Sequence, residues 1–211
     1  MEFRLKYLNN CVDRLIIVES IYTFSENKKD GLYYNIHKHI FEKYKEKVFF
    51  YSINNLPTKI DSLFIRKNNI LLKIINHGLM KYINEIIYNI YNDISHIKPF
   101  IIFVCDVDEI PNKQLYMNVK DDYDLLHEGA HLEMLLLNHG FKRKKENCIW
   151  RHPFVITDKG NKNLSFSNVR LTRTEKTYYD SGWHISYCFE IDDIIRKLES
   201  FAHTEYNKDK Y

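Results

Sequence analysis

Apolar positions along the chain follow two rhythms. Short continuous runs, LIIV at 15–18, VFFY at 48–51 and FIIFV at 100–104, have the length and the β-branched, aromatic make-up of strands buried on both faces, as in a parallel sheet. Between the second and third runs, Ile65, Leu72, Ile75, Leu79, Ile83, Ile86 and Ile90 recur at three- and four-residue steps. That rhythm predicts helices over residues 61–92, with Asp61 as a cap and Asn76-His77-Gly78 as a break or kink. A helix over residues 33–46 would join the first two strands, so that the connections form right-handed βαβ crossovers. Beyond Pro111 the pattern predicts a short helix through Met117, then mixed strands and loops, and a last helix over residues 191–201. The expectation is an α/β fold whose N-terminal half is the more Rossmann-like.

Composition narrows this without naming a function. A chain of 211 residues, 45% of them hydrophobic, supports one good core, and 6 glycines and 4 prolines leave no low-complexity linker, so residues 1–211 are read as a single domain. The opening MEFRLKYLNN carries charges throughout, and the longest purely apolar run, residues 100–105, falls far short of the roughly 20 residues of a membrane helix. A soluble, cytoplasmic chain without a span is expected. The four cysteines are widely separated and form no CxxC pair, which suits free thiols in a reducing compartment. The net charge of +3 is spread out, and its densest block, residues 142–145, is too short for a nucleic-acid tail, so no nucleic-acid partner is expected.

Three segments can carry chemistry. In FIIFVCDVDEIP (residues 100–111) an apolar strand stops at Asp106, Asp108 and Glu109. Ligands of open α/β sheets bind beyond strand carboxyl ends, and extended alternation would aim Asp106 and Asp108 to one side, where they could share Mg²⁺ or Mn²⁺. The plainer alternative is a solvated turn whose acids cap the following helix. In YYDSGWHISYCF (residues 178–189), Asp180, Trp183 and His184 lie among aromatic rings. Trp can stack on the C–H face of a sugar and His can ligate a metal, although a core strand with a satisfied histidine has the same look. In VESIYTFS (residues 18–25), strand-end hydroxyls followed by Lys28 and Lys29 suit a phosphate, or mark an ordinary strand-to-loop transition. His37-x-His39, on a helix, is a poor chelate, and His131-x-Glu133 would more often be a half-exposed strand face.

The order VES-x-x-TFS, an Arg66-containing helix, DVDEIP, GWH-x-S-x-CF and KLESFAH-x-E resembles glycosyltransferase family 17, the β-1,4-mannosyl-glycoprotein β-1,4-N-acetylglucosaminyltransferase (N-acetylglucosaminyltransferase III) family, over nearly the whole chain. The resemblance implies a GT-A type, Rossmann-like nucleotide-binding fold with a mostly parallel central sheet flanked by helices. It further implies an inverting, metal-dependent transfer from a nucleotide-sugar donor to a glycan or glycoconjugate acceptor. Asp106 and Asp108 match the family's acidic motif and, with His184, would hold Mn²⁺ or Mg²⁺. Glu19, Ser20, Thr23, Lys28, Arg66 and Asp106 fall on the donor side, and Trp183 and Trp150 on the acceptor side. The carboxylates assigned to catalysis are Asp180, as the base toward the acceptor hydroxyl, and Glu109, with Glu205 and Glu133 as alternatives for the base. The pattern departs from the family at its start, where members have a further apolar strand ahead of the segment matching residues 2–8. The Ile-, Asn- and Lys-heavy composition resembles a compact microbial or viral relative. Two other functions remain open on these residues: a metal-dependent nuclease or phosphohydrolase, and a catalytically inactive carbohydrate-binding relative.

Overall fold

A computed structural model describes residues 1–23, 27–54, 99–138, 144–159, 174, 176–188 and 190–200. The chain divides into two compact units, one of Met1–Cys11 with Tyr88–Phe189 and one of Val12–Ile87 with Glu190–Tyr211. The helices expected over residues 61–92, together with Arg66 and Glu205, lie outside the described residues.

In the second of these units, strands β1 (Leu15–Ser20) and β2 (Val48–Ile53) pair in parallel from Leu15↔Val48 to Ser20↔Ile53. The two apolar runs therefore adopt the expected strands, with Ile17, Val48 and Ile53 buried. The helix expected over residues 33–46 is two short ones, α2 (Tyr33–Ile36) and α3 (Lys38–Glu42), separated where His37 turns to φ −107°, ψ 29°. Phe41 anchors α3 in the interior.

The other unit begins with α1 (Glu2–Leu8), whose buried Leu5 and Leu8 stand three residues apart on one face. Strands β3 (Ile101–Val104) and β4 (Glu109–Pro111) flank the acidic turn, and α4 (Lys113–Asp121) follows. The remaining strands are β5 (Ala130–Leu132), β6 (Met134–Asn138), β7 (Lys144–Trp150), β8 (Phe154–Thr157), β9 (Thr177–Tyr178) and β10 (Gly182–Ser186). They form two four-stranded sheets, ordered β3-β8-β5-β9 and β4-β10-β6-β7.

These sheets are mixed, which corrects the expectation of a mostly parallel one. Among the described residues, strand β3 runs antiparallel to β8, β5 antiparallel to β8, β10 antiparallel to β4 and β6 antiparallel to β7, while β5/β9 and β10/β6 are parallel. The reason is physical: a continuous apolar run signals burial on both faces but carries no strand direction. β8 has all four of its residues buried and supplies the antiparallel partner of β3. The core gathers Leu115 and Val119 of α4, Leu126, Ala130, Leu132, Met134, Val155 and Tyr178, with Phe103, Cys105 and Trp150 against it. The last helix, α5 (Ile191–Ser200), lies in the unit of β1 and β2 and matches the expected span within a residue.

Candidate active site

The acids after β3 do not continue an extended strand. Glu109 N–H donates to the Asp106 carbonyl at 3.1 Å, closing a turn over Val107 and Asp108, and the Glu109 carboxylate Oε2 accepts the Asp106 N–H at 2.5 Å. From α1, Arg4 Nη1 donates to the same Asp106 carbonyl at 2.6 Å. Both peptide groups of Asp106 are thereby held, and Asp106 and Val107 face solvent while Glu109 is wholly buried. The strict alternation expected of Asp106 and Asp108 is replaced by this turn, in which the Glu109 side chain folds back to satisfy the Asp106 N–H, a backbone donor that a strand would have paired elsewhere.

Strand β10 brings GWH against the turn. His184 pairs with Glu109 in antiparallel register, and Ile185 N–H donates to the Asp108 carbonyl at 2.8 Å. His184 is 93% buried, with its Nε2 3.4 Å from Asp108 Oδ2. Its Nδ1 is buried with no hydrogen-bond partner among the described residues, a costly state for an imidazole nitrogen unless something else is bound there. Trp150 lies over the His184 ring, centroids 4.1 Å apart, and donates its indole N–H to Glu109 Oε1 at 2.5 Å.

Strand periodicity separates the two tryptophans. Trp183 and His184 are neighbours on β10 and so project to opposite faces. Trp183 is partly exposed and meets Tyr7 of α1 edge-on, at 6.3 Å between centroids, whereas Trp150 is on the histidine side. Gly182 makes the approach of β10 to β4 possible: at φ +147°, a Cβ there would lie 2.1 Å from the Ile110 carbonyl oxygen. Asp180 sits just before it, exposed and at φ 49°, and its carbonyl accepts from Asn112 Nδ2. Asn112 also caps α4 through its Oδ1, which accepts the Leu115 N–H at 2.8 Å.

Asp106, Asp108, Glu109, His184 and Trp150 are thus brought together in one unit. Among the alternatives for the base, Glu133 Oε2 is gripped by Arg151, with Nε at 2.8 Å and Nη2 at 2.6 Å. The donor-side residues of the VES segment belong to the other unit, where each has structural bonds. Glu19 accepts the Tyr33 and Tyr34 N–H groups at 2.8 and 3.2 Å and pairs with Lys29 at 3.3 Å, so it caps α2 from a strand. The hydroxyls of Ser20 and Thr23 accept the N–H groups of Tyr22 and Asn27, and Lys28 bridges back to Tyr22 in an exposed turn. Sequence reading passed over Arg4 and Asn112. The Leu5/Leu8 spacing, which marks α1, and the Asn after Pro111, in cap position ahead of α4, were the available signals.

No three or more His, Cys, Asp or Glu side chains converge as a metal cluster among the described residues. Asp108 and His184 nonetheless offer an oxygen and a nitrogen donor side by side. A divalent cation in a nucleotide site typically takes one or two protein ligands and completes its shell with phosphate oxygens and water, so this donor set fits one. No helix among the described residues is long and apolar enough to cross a membrane.

With the acidic turn, the GWH strand and their shared buried face in place, the comparison with known families is direct: the family model for Glycosyltransferase family 17 matches residues 1–211. The chain belongs to that family and is a glycosyltransferase. Neither curated proteins nor solved structures give a match.

Proposed function

We propose that this glycosyltransferase transfers a hexosyl or N-acetylhexosaminyl group from a nucleoside diphosphate sugar to a hydroxyl of a glycan acceptor, with inversion and with Mn²⁺ or Mg²⁺, on a GT-A type fold. The observation that carries the reading is the Asp108–His184 pair, 3.4 Å apart with the histidine buried, in the same turn-and-strand unit as the exposed Asp106. Asp108 and His184 would hold the cation and Asp106 would face it from the rim. Bound there, the metal supplies Lewis-acid stabilisation of the charge that develops on the departing diphosphate.

The chain's own residues do the rest. Trp183, partly exposed on the outer face of β10, offers an apolar ring to a sugar. Asp180 presents an exposed carboxylate from a turn whose carbonyl is tied to Asn112, a placement that suits a base taking the proton from the acceptor hydroxyl. Inversion needs such a base on the face opposite the leaving group.

The test is a thermal-shift and donor-hydrolysis screen against UDP-, GDP- and TDP-sugars with and without Mn²⁺, run beside Asp108→Asn and an Asp106→Ala/Asp108→Ala double variant. Metal-dependent stabilisation or slow hydrolysis by one donor class, abolished in both variants while their unfolding remains cooperative, is the expected result. Undiminished turnover in Asp108→Asn would remove the pair from the mechanism, and phosphodiester cleavage without sugar transfer would establish a phosphohydrolase instead.

A further inference from the structure

We infer that Glu109 is a positioning residue, one buried carboxylate that fixes both the Asp106 turn and the tryptophan over His184, and so sets the donor-binding geometry without touching the reacting atoms. The inference rests on the transferase reading of that site. Its basis is the way the two oxygens of Glu109 are used. Oε2 holds the Asp106 N–H and Oε1 holds the Trp150 indole N–H, each at 2.5 Å, and the side chain has no exposed surface. A carboxylate in the interior is costly unless its acceptor sites are filled, and here the donors that fill them come from the two sides of the site.

On one side the turn cannot rotate. Asp106 donates its N–H to Glu109 Oε2, and its carbonyl accepts from both the Glu109 N–H and Arg4, so the direction in which its carboxylate leaves the backbone is set. On the other side, Trp150 is held by its indole nitrogen with its ring 4.1 Å from that of His184, which in turn stands 3.4 Å from Asp108. Such partners behind a ligand orient it and commonly change affinity or activity by about 10–100-fold when lost. A base acting on an acceptor hydroxyl must come within hydrogen-bond reach of it; a fully buried carboxylate with both oxygens engaged is built to hold other groups still.

Glu109→Gln tests this on the full chain, because an amide of the same shape has one acceptor oxygen where the carboxylate has two, and its NH₂ must face one of the two N–H donors. With ¹⁵N-labelled tryptophan, the indole Nε1–H resonance of Trp150, assigned by its persistence in Trp183→Phe, should move and exchange faster with solvent in Glu109→Gln. The kcat for the donor found in the screen should fall roughly ten- to hundredfold, with the shape of the pH–rate profile kept. An unmoved indole resonance would overturn the inference. So would complete loss of transfer with the resonance in place, which would make Glu109 a reacting group. Should Glu109→Gln not fold, Trp150→Phe removes the same bond from the donor's side while keeping a ring over His184: a comparable drop supports the inference, and the parental rate overturns it. If the parent protein turns over no donor at all, the transferase reading fails by itself, and the indole measurement still decides whether Glu109 holds Trp150.

Discussion

Gly182 shows how little freedom one position of the site has. Its φ of +147° is rarely open to a residue with a side chain, and an added Cβ would lie 2.1 Å from the Ile110 carbonyl oxygen and 2.8 Å from the Pro111 Cα. Both neighbours are backbone of β4, so relief means separating β10 from the strand that carries Glu109. Gly182→Ala should therefore cost about 3 kcal/mol, combining backbone strain with overpacking, as read from the urea midpoint of unfolding. A loss below about 1 kcal/mol, the usual size of an unremarkable substitution, would show that β4 yields. The same position explains part of what was legible in the sequence. GWH drew attention through its tryptophan and histidine, yet its glycine is the member that lets the histidine reach Asp108. The roles of Glu109 and Arg4 were not legible, because each depends on a turn closed by side-chain-to-backbone bonds, and such bonds leave no periodic trace.

Elements were legible to the extent that their signals are local. The apolar runs of β1, β2 and β3 and the helix over α5 lie where the pattern places them, and the helix after Pro111 starts as expected but runs on to Asp121, four residues past Met117. The parallel pairing of β1 with β2 also follows from it. Strand direction elsewhere did not, since pairing partners such as β3 with β8 are some fifty residues apart and are chosen by burial on both faces. The helical stretch expected over residues 33–46 breaks at His37, and Glu19, from the preceding strand, supplies the cap that starts α2. At the scale of one element, Asn112 allows a sharp test, because its two side-chain atoms do different jobs: Oδ1 caps α4 and Nδ2 holds the carbonyl of Asp180. Asn112→Ala loses both and should cost about 1–2 kcal/mol. Asn112→Asp keeps a capping oxygen, favoured further at a helix N-terminus, and loses only the donor. It should recover most of that stability. Equal losses in the two variants by denaturant titration would mean that the cap contributes little.

Across the whole molecule, the polar bonds that tie the end of α4 to β9 make stability depend on pH from both sides. Asp122 closes α4 and accepts from Lys176 Nζ and from the Tyr178 hydroxyl, each at 2.8 Å. The hydrogen bond from Lys176 first, and that from Tyr178 second, hold the Asp122 carboxyl below its ordinary range. Burial, with the Asp122 bond in support, pushes the Tyr178 phenol up. The signs follow from linkage. A carboxyl depressed by folding adds stability that is complete above the unfolded value of about 4 and disappears as pH falls through the lower folded value. A phenol raised by folding adds stability that is present below about 10 and lost as pH rises beyond it. Because Asp122 and Lys176 are each about one-third exposed, solvent screening limits the acid-side share to at most about 1 kcal/mol. Asp122→Asn should accordingly be less stable than the parent by up to that amount at neutral pH, with the gap narrowing in 1 M salt and closing below the carboxylate range. Thermal unfolding of both proteins from acid to neutral pH decides the matter. A gap that stays constant down to the lowest pH at which both fold would mean that Asp122 contributes through packing at the end of α4, and that its charge has no part in joining the helix to the sheet.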